Sequence, residues 1–188
     1  MQSEQLIREL TRKTDESIRR AESLKNLDTP SLTWRPDPKS WNILECLAHL
    51  NLYGNFYLPE MEKKISGSKS GPDPTFKSGL LGGYFAKSML PKRKLNKMKT
   101  FKDKDPLGAA LDKTEIDAFI DQQRNLLQLL NRAGSVSLNK VKIEISISKF
   151  IKLKLGDTFL FYVNHITRHL KQIDHIEADM KSGILRDA

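Results

Sequence analysis

The chain has a single cysteine, Cys46, so no disulfide can form within it and a reducing compartment is the simplest setting. It has no uninterrupted apolar run long enough to cross a bilayer. Its first twelve residues, Met1 to Arg12, are polar and charged and lack the apolar stretch of a secretory signal. A cytoplasmic location and no membrane partner are therefore expected. Acidic residues are scarce between positions 63 and 104: Asp73 and Asp103 stand against twelve Lys or Arg. The net charge of +9 is thus concentrated in one segment, and the remainder of the chain is close to neutral.

Hydrophobic residues make up 38% of the 188, enough for one domain spanning 1–188 with a real core. Helical periodicity is the main local signal. Ile7, Leu10, Ile18, Ala21 and Leu24, with Thr14 in the gap, predict a first helix over about 3–25. Three prolines between Asp28 and Pro38 predict an extended loop without helix.

Asn42 with Glu45 three residues on has the form of a capping box and opens a second helix. Its inner side carries Ile43, Cys46, His49, Leu50, Tyr53, Phe56 and Tyr57. Pro59 is expected to kink or end it, although Met61 and Ile65 fit a continuation.

Residues 66–83 read as a loop, Leu80 to Leu90 as a short helix, and 92–106 as basic and unpatterned. A third helix is expected over 114–132, with Thr114 and Asp117 as its box and the Ala133-Gly134-Ser135 run as its end. Its face holds Ile116, Phe119, Ile120, Gln123, Leu127 and Leu130. Val141, Ile143, Ile145 and Ile147 alternate as in a strand, but the sequence offers no evident partner, so an extended piece laid over helices is expected. A fourth helix runs from Asp157 to about Lys181. Four amphipathic helices predict an all-α four-helix bundle with a long basic connection between the second and third.

Three of the four histidines carry the chemistry. His165 and His169 are one helical turn apart, which places their Cβ atoms about 5–6 Å from each other. At about 100° per residue both fall on the inner edge of the fourth helix, beside Phe159, Ile166 and Ile173. His49 also faces inward from the second helix, whereas His175 falls on the polar side and reads as solvated. Two imidazoles from one helix and a third from a facing helix can share a divalent ion and leave a position open. Spacing alone leaves a second reading open, that of core histidines held by hydrogen bonds.

Two motifs then stand out. The run Trp34-Arg35-Pro36-Asp37-Pro38-Lys39-Ser40-Trp41-Asn42-Ile43-Leu44-Glu45-Cys46-Leu47-Ala48-His49-Leu50 resembles the opening motif of the DinB family, a Pro-rich turn leading to W-S-x-x-E-x-x-x-H-L. His165-Ile166-Thr167-Arg168-His169-Leu170-Lys171-Gln172 resembles that family's H-x-x-R-H-x-x-Q. The order and separation of the two also fit, and the resemblance covers most of the chain. Asn42 replaces the usual Ser, an equivalent cap. Ile166 replaces a Glu often found beside the ligand, so any contact from that Glu is lost.

The resemblance implies a four-helix bundle holding a divalent metal (zinc, nickel or ferrous iron) on His49, His165 and His169. It implies either a thiol-dependent S-transferase, with a low-molecular-weight thiol such as bacillithiol or mycothiol, or a hydrolase. It also implies a homodimer. Nearby, Gln172 reads as a residue orienting a ligand and Arg168 either as a holder of an anionic group or as a surface ion pair. Tyr53 reads either as a partner of a metal-bound water or as a core residue.

Cys46 reads as a small hydrophobe before a ligand, and Glu45 as a cap before a base. No serine, cysteine or aspartate constellation competes as a nucleophile. The alternatives are a non-catalytic metal-binding scaffold, or a nucleic-acid-binding protein using the basic 63–104 segment with Phe76, Tyr84, Phe85 and Phe101 as stacking residues. The latter is the less favoured, because a solvated strap with its aromatics tucked inward accounts for the same residues.

Overall fold

In the computed structural model, which describes residues 1–91 and 100–184, helix α1 (Ser3–Leu24) buries Leu6, Leu10, Thr14, Ser17, Ala21 and Leu24 as one stripe. Thr14 fits there because its hydroxyl donates to the Leu10 carbonyl at 2.9 Å, which satisfies the polar group inside the helix. Main-chain bonds from Ser3 to Pro74 and from Phe76 to Met1 tie the start of the chain to the loop after the next long helix.

The proline-rich stretch contains a short helix, α2 (Thr29–Thr33), which the sequence reading excluded. Pro30 lies in its first turn, where no amide hydrogen is needed, and Asp28 caps it by accepting from Ser31 N at 3.0 Å.

Helix α3 (Ile43–Ser66) opens on the expected box: Glu45 N donates to Asn42 Oδ1 and Asn42 N to Glu45 Oε2, both at 2.8 Å. It continues through Pro59 for another two turns. Met61 and Ile65 bury their side chains beyond the proline, and that burial offsets the one missing main-chain bond.

Within the basic connection lie α4 (Leu80–Ser88) and a 3-10 turn at Lys102–Lys104; the expectation for 92–99 lies outside the described residues. Phe76 is buried against Gly156 and Phe85 is half-buried, whereas Tyr84 and Phe101 are exposed. The four aromatics of that segment thus divide between core and surface.

Helix α5 (Thr114–Ala133) lacks the expected Thr114–Asp117 box. Thr114 is already helical, and its amide and hydroxyl both donate to Asp112 Oδ1 instead. The inner face holds Leu126 and Leu129 along with Ile116, Phe119, Ile120, Gln123 and Leu130, and Leu127 is only half-buried.

The alternating segment is not a lone strand. Strand β1 (Lys142–Ile145) pairs antiparallel with β2 (Ser148–Lys154), with Ile143 opposite Leu153 and Glu144 opposite Lys152. The register breaks between Glu144 and Ile145, whose partners are Lys152 and Ser148, so residues 149–151 bulge from the ladder.

Helix α6 (Leu155–Ile184) starts two residues earlier than expected. Asp157 is buried and accepts from Ser78 Oγ and Gly79 N, joining α6 to the start of α4.

Among the described residues the chain is mostly helical, with six α-helices and one small sheet. Helix α1 packs on α5 and α6, α3 packs on the same two, and α4 lies on α6. No described helix is long and apolar enough to cross a membrane.

Candidate metal centre

Helices α3 and α6 meet along buried apolar residues, and that contact brings His49 to His165 and His169. The Nε2 atoms of His49 and His165 are 3.2 Å apart, and those of His165 and His169 are 3.0 Å apart. Among the described residues this trio is the cluster able to hold a metal, and no carboxylate joins it. The rings are 3%, 5% and 8% exposed, so the site is nearly shut from solvent.

The outer nitrogens decide what the inner ones carry. His49 Nδ1 lies 2.7 Å from the main-chain carbonyl of Lys104, which can only accept. The proton is therefore on Nδ1, and Nε2 presents a lone pair. His169 Nδ1 donates likewise to Gln172 Oε1 at 3.0 Å, which leaves its Nε2 bare. His165 faces both with one nitrogen, and its Nδ1 has no partner.

An Nε2 hydrogen on His165 can serve only one neighbour; without it, three lone pairs converge. A cation removes this conflict. Nitrogen ligands at about 2.0–2.1 Å on a four-coordinate ion stand about 3.3 Å apart, close to the spacings seen. The residues present fit a divalent metal.

Burial also keeps the imidazoles neutral, as ligands must be. It draws the pKa of His49 below the ordinary value, with the Lys104 carbonyl opposing. For His169 burial, with His49 beside it, lowers the value to about 3. His165 lies well below 6.5 through burial and then the proximity of His169 and His49.

An aromatic wall surrounds the trio. The Trp41 ring lies 4.7 Å from that of His49 and 5.7 Å from that of His169. Tyr53 packs at 5.0 Å from His49 and 4.6 Å from His165, and Phe161 stacks on His165 at 5.9 Å. Arg168 is buried, and its charge acts on both His165 and His169. Cys46 is fully buried in the apolar core outside the cluster, where burial pushes its thiol up. His175 is exposed.

Glu45 does more than cap α3. Its Oε1 also accepts from Arg35 Nη2 at 3.0 Å and from Gly108 N at 2.6 Å. Gly108 has φ +78°, which a side chain resists. Asp105, in the same segment, accepts from Trp41 Nε1 at 3.0 Å. The segment 104–108 is thus fastened at Asp105 and at Gly108, just after the point where Lys104 meets His49.

Neither the Lys104 carbonyl nor the grip of Glu45 on Gly108 was foreseen. A main-chain acceptor leaves no mark in the sequence; only Glu45 and Gly108 themselves, as a buried acid and a loop glycine, offered a trace. A surface cleft of about 420 Å³ lies elsewhere, between the start of α1 and the end of α5, lined by Ile7, Arg8, Pro74 and Val136 among others. It contains no histidine and nothing that ties it to this chemistry.

The model of one family, described as the DinB superfamily, matches residues 9–173. The chain belongs to the DinB superfamily. The match takes in all of α3 and the part of α6 up to Ile173, and with them all three histidines. No curated protein and no solved structure matches this DinB chain.

Proposed function

We propose that this DinB chain is a four-helix-bundle metalloenzyme that binds one divalent ion through His49, His165 and His169 and joins a small thiol to an electrophile. The carrying observation is the convergence of three neutral imidazoles, two with their outer N–H already committed. The mutual packing of α1, α3, α5 and α6 supports the bundle reading.

A bound ion supplies Lewis acidity, which lowers the pKa of a thiol or a water molecule towards neutrality. The protein's own part is to fix ring orientation through Lys104 and Gln172 and to exclude bulk water with Trp41, Tyr53 and Phe161. Arg168 supplies a positive charge for an anionic group of the reactant.

Two features favour a thiol over a hydrolytic water. Among the described residues no carboxylate joins the cluster to act as general base, and the surroundings are apolar and nearly closed. That closure also argues for a small reactant and against a nucleic acid at the histidines.

Elemental analysis of the purified protein tests the site. One equivalent of divalent metal is expected, lost in His49→Ala, His165→Ala and His169→Ala alike. Consumption of a thiol with monochlorobimane tests the reaction, and it should follow metal content. A metal-loaded protein that consumes no thiol but hydrolyses ester or amide substrates would replace the transferase reading with the hydrolase one. A protein that binds no metal would end both.

A further inference from the structure

The outward face of α4 is apolar where a surface helix is ordinarily polar. Gly79, Gly82 and Ala86 turn towards α6: a Cβ at Gly79 would meet Asp157, one at Gly82 would overlap it, and the Ala86 carbonyl accepts from Asn164 Nδ2. At helical spacing this leaves Leu80, Leu81 and Tyr84 on the opposite side, all exposed, Leu80 at 99%.

Helix α4 also contacts β2, where the bulge at 149–151 ejects Phe150 to 98% exposure. On α4 the three side chains adjoin one another as a continuous apolar strip, and Phe150 projects from the strand that this helix touches. A continuous exposed apolar patch, unlike scattered single residues, marks an interaction site.

Charge identifies the partner. Helix α4 and strand β2, with Lys77 just before α4, hold five lysines and no acidic residue. Lys152 among them pairs with Glu144 of β1. Lys77 and Lys87 are exposed, and Lys154 sits beside Gly79, its Nζ donating to the Lys77 carbonyl. A second copy of the chain would bring the same positive charge to the contact. A nucleic acid would match the lysines but offer nothing to Leu80 and Leu81. A protein partner would need a pocket for each protruding side chain, whereas a lipid interface receives them without shaped pockets.

We propose that the face formed by α4 and β2 docks the protein peripherally on an anionic lipid bilayer, with Leu80, Tyr84 and Phe150 entering the headgroup region and the lysines against lipid phosphates. The sequence reading excluded a membrane partner from the lack of a spanning segment. Surface docking needs none, and it is independent of the metal site.

Sedimentation with vesicles tests it, using phosphatidylcholine alone and phosphatidylcholine with about a third phosphatidylglycerol. The protein should bind the anionic vesicles at least about ten-fold more tightly and lose that preference as salt is raised. Inorganic phosphate at millimolar concentration should compete poorly. The triple variant Leu80→Ser/Tyr84→Ser/Phe150→Ser should bind at least about ten-fold more weakly while keeping the parent's melting temperature and metal content. Leu80→Asp alone serves if the triple variant unfolds.

Absence of vesicle binding at low salt would overturn the proposal. So would equal binding by parent and variants, which would assign the effect to other basic residues. A variant that changed from dimer to monomer would also overturn it, because the face would then belong to a second copy.

Discussion

Gly108 donates its amide hydrogen to Glu45 Oε1 across 2.6 Å, and through this bond the cap of α3 holds the segment that orients His49, one turn further along the same helix. The carboxylate is fully buried and also engages Asn42 N and Arg35, so its charge is satisfied three times. Substitution there should reach the metal centre without touching a ligand.

Glu45→Gln keeps the shape but weakens the charge-assisted bonds. We expect a stability loss of about 1–3 kcal/mol. Metal affinity should fall about 10–100-fold, the usual effect of removing a partner behind a ligand. Denaturant melts and a competitive chelator titration measure the two. Unchanged affinity with lowered stability would leave Glu45 as a helix cap alone.

Acid should destabilise the metal-free protein. The three buried imidazoles have lowered pKa values in the folded chain, so near pH 7 they are neutral both folded and unfolded. Below about pH 6.5 the unfolded chain takes up protons that the native one refuses, and stability falls with pH. For His169 the loss continues down to about 3, where the folded group finally protonates. Each such imidazole contributes a slope of about 1.4 kcal/mol per pH unit. Thermal melts of the chelator-treated protein between pH 7 and 4 should show this, with a shallower slope in His169→Gln. Equal slopes in parent and variant would count against a buried neutral ring at 169.

Trp41 should report on binding. Its indole ring lies 4.7 Å from the His49 ring, so a paramagnetic ion such as nickel held there should quench its fluorescence. Trp41→Phe should remove the quenching and leave the signal of Trp34. Quenching that survives Trp41→Phe would place the ion nearer Trp34.

Gly54 in α3 poses two opposed effects. Alanine there gains about 1 kcal/mol of helix propensity. Its methyl would overlap the Gln122 side-chain amide and meet Tyr162 Oη at 2.8 Å. Gln122 can turn away, but Tyr162 is fully buried and cannot. We expect Gly54→Ala to lower stability by about 1–3 kcal/mol, as overpacking does. An unchanged or raised midpoint in urea would show that α3 and α6 can part locally.

Much of the site was legible because its signals are side chains at fixed spacing. His165 and His169 lie one turn apart, His49 shares the buried face of its helix, and Asn42 with Glu45 marks the start of that helix. The box read at Thr114 failed because a carboxylate two residues upstream, Asp112, took the amide first. Strand β2 escaped notice because its lysines break the alternation, its bulge shifts the register, and no Asn-Gly or Asp-Gly turn announces the hairpin. Short-range pattern cannot register a partner that appears only when the chain folds back.

Because the acceptor behind His49 is a peptide oxygen, position 104 is free to change its side chain without disturbing the imidazole. What must be preserved is the path of the main chain, set by neighbours such as Gly108 that touch no histidine. Among relatives, one would therefore look for constancy of route at this point, and not constancy of residue.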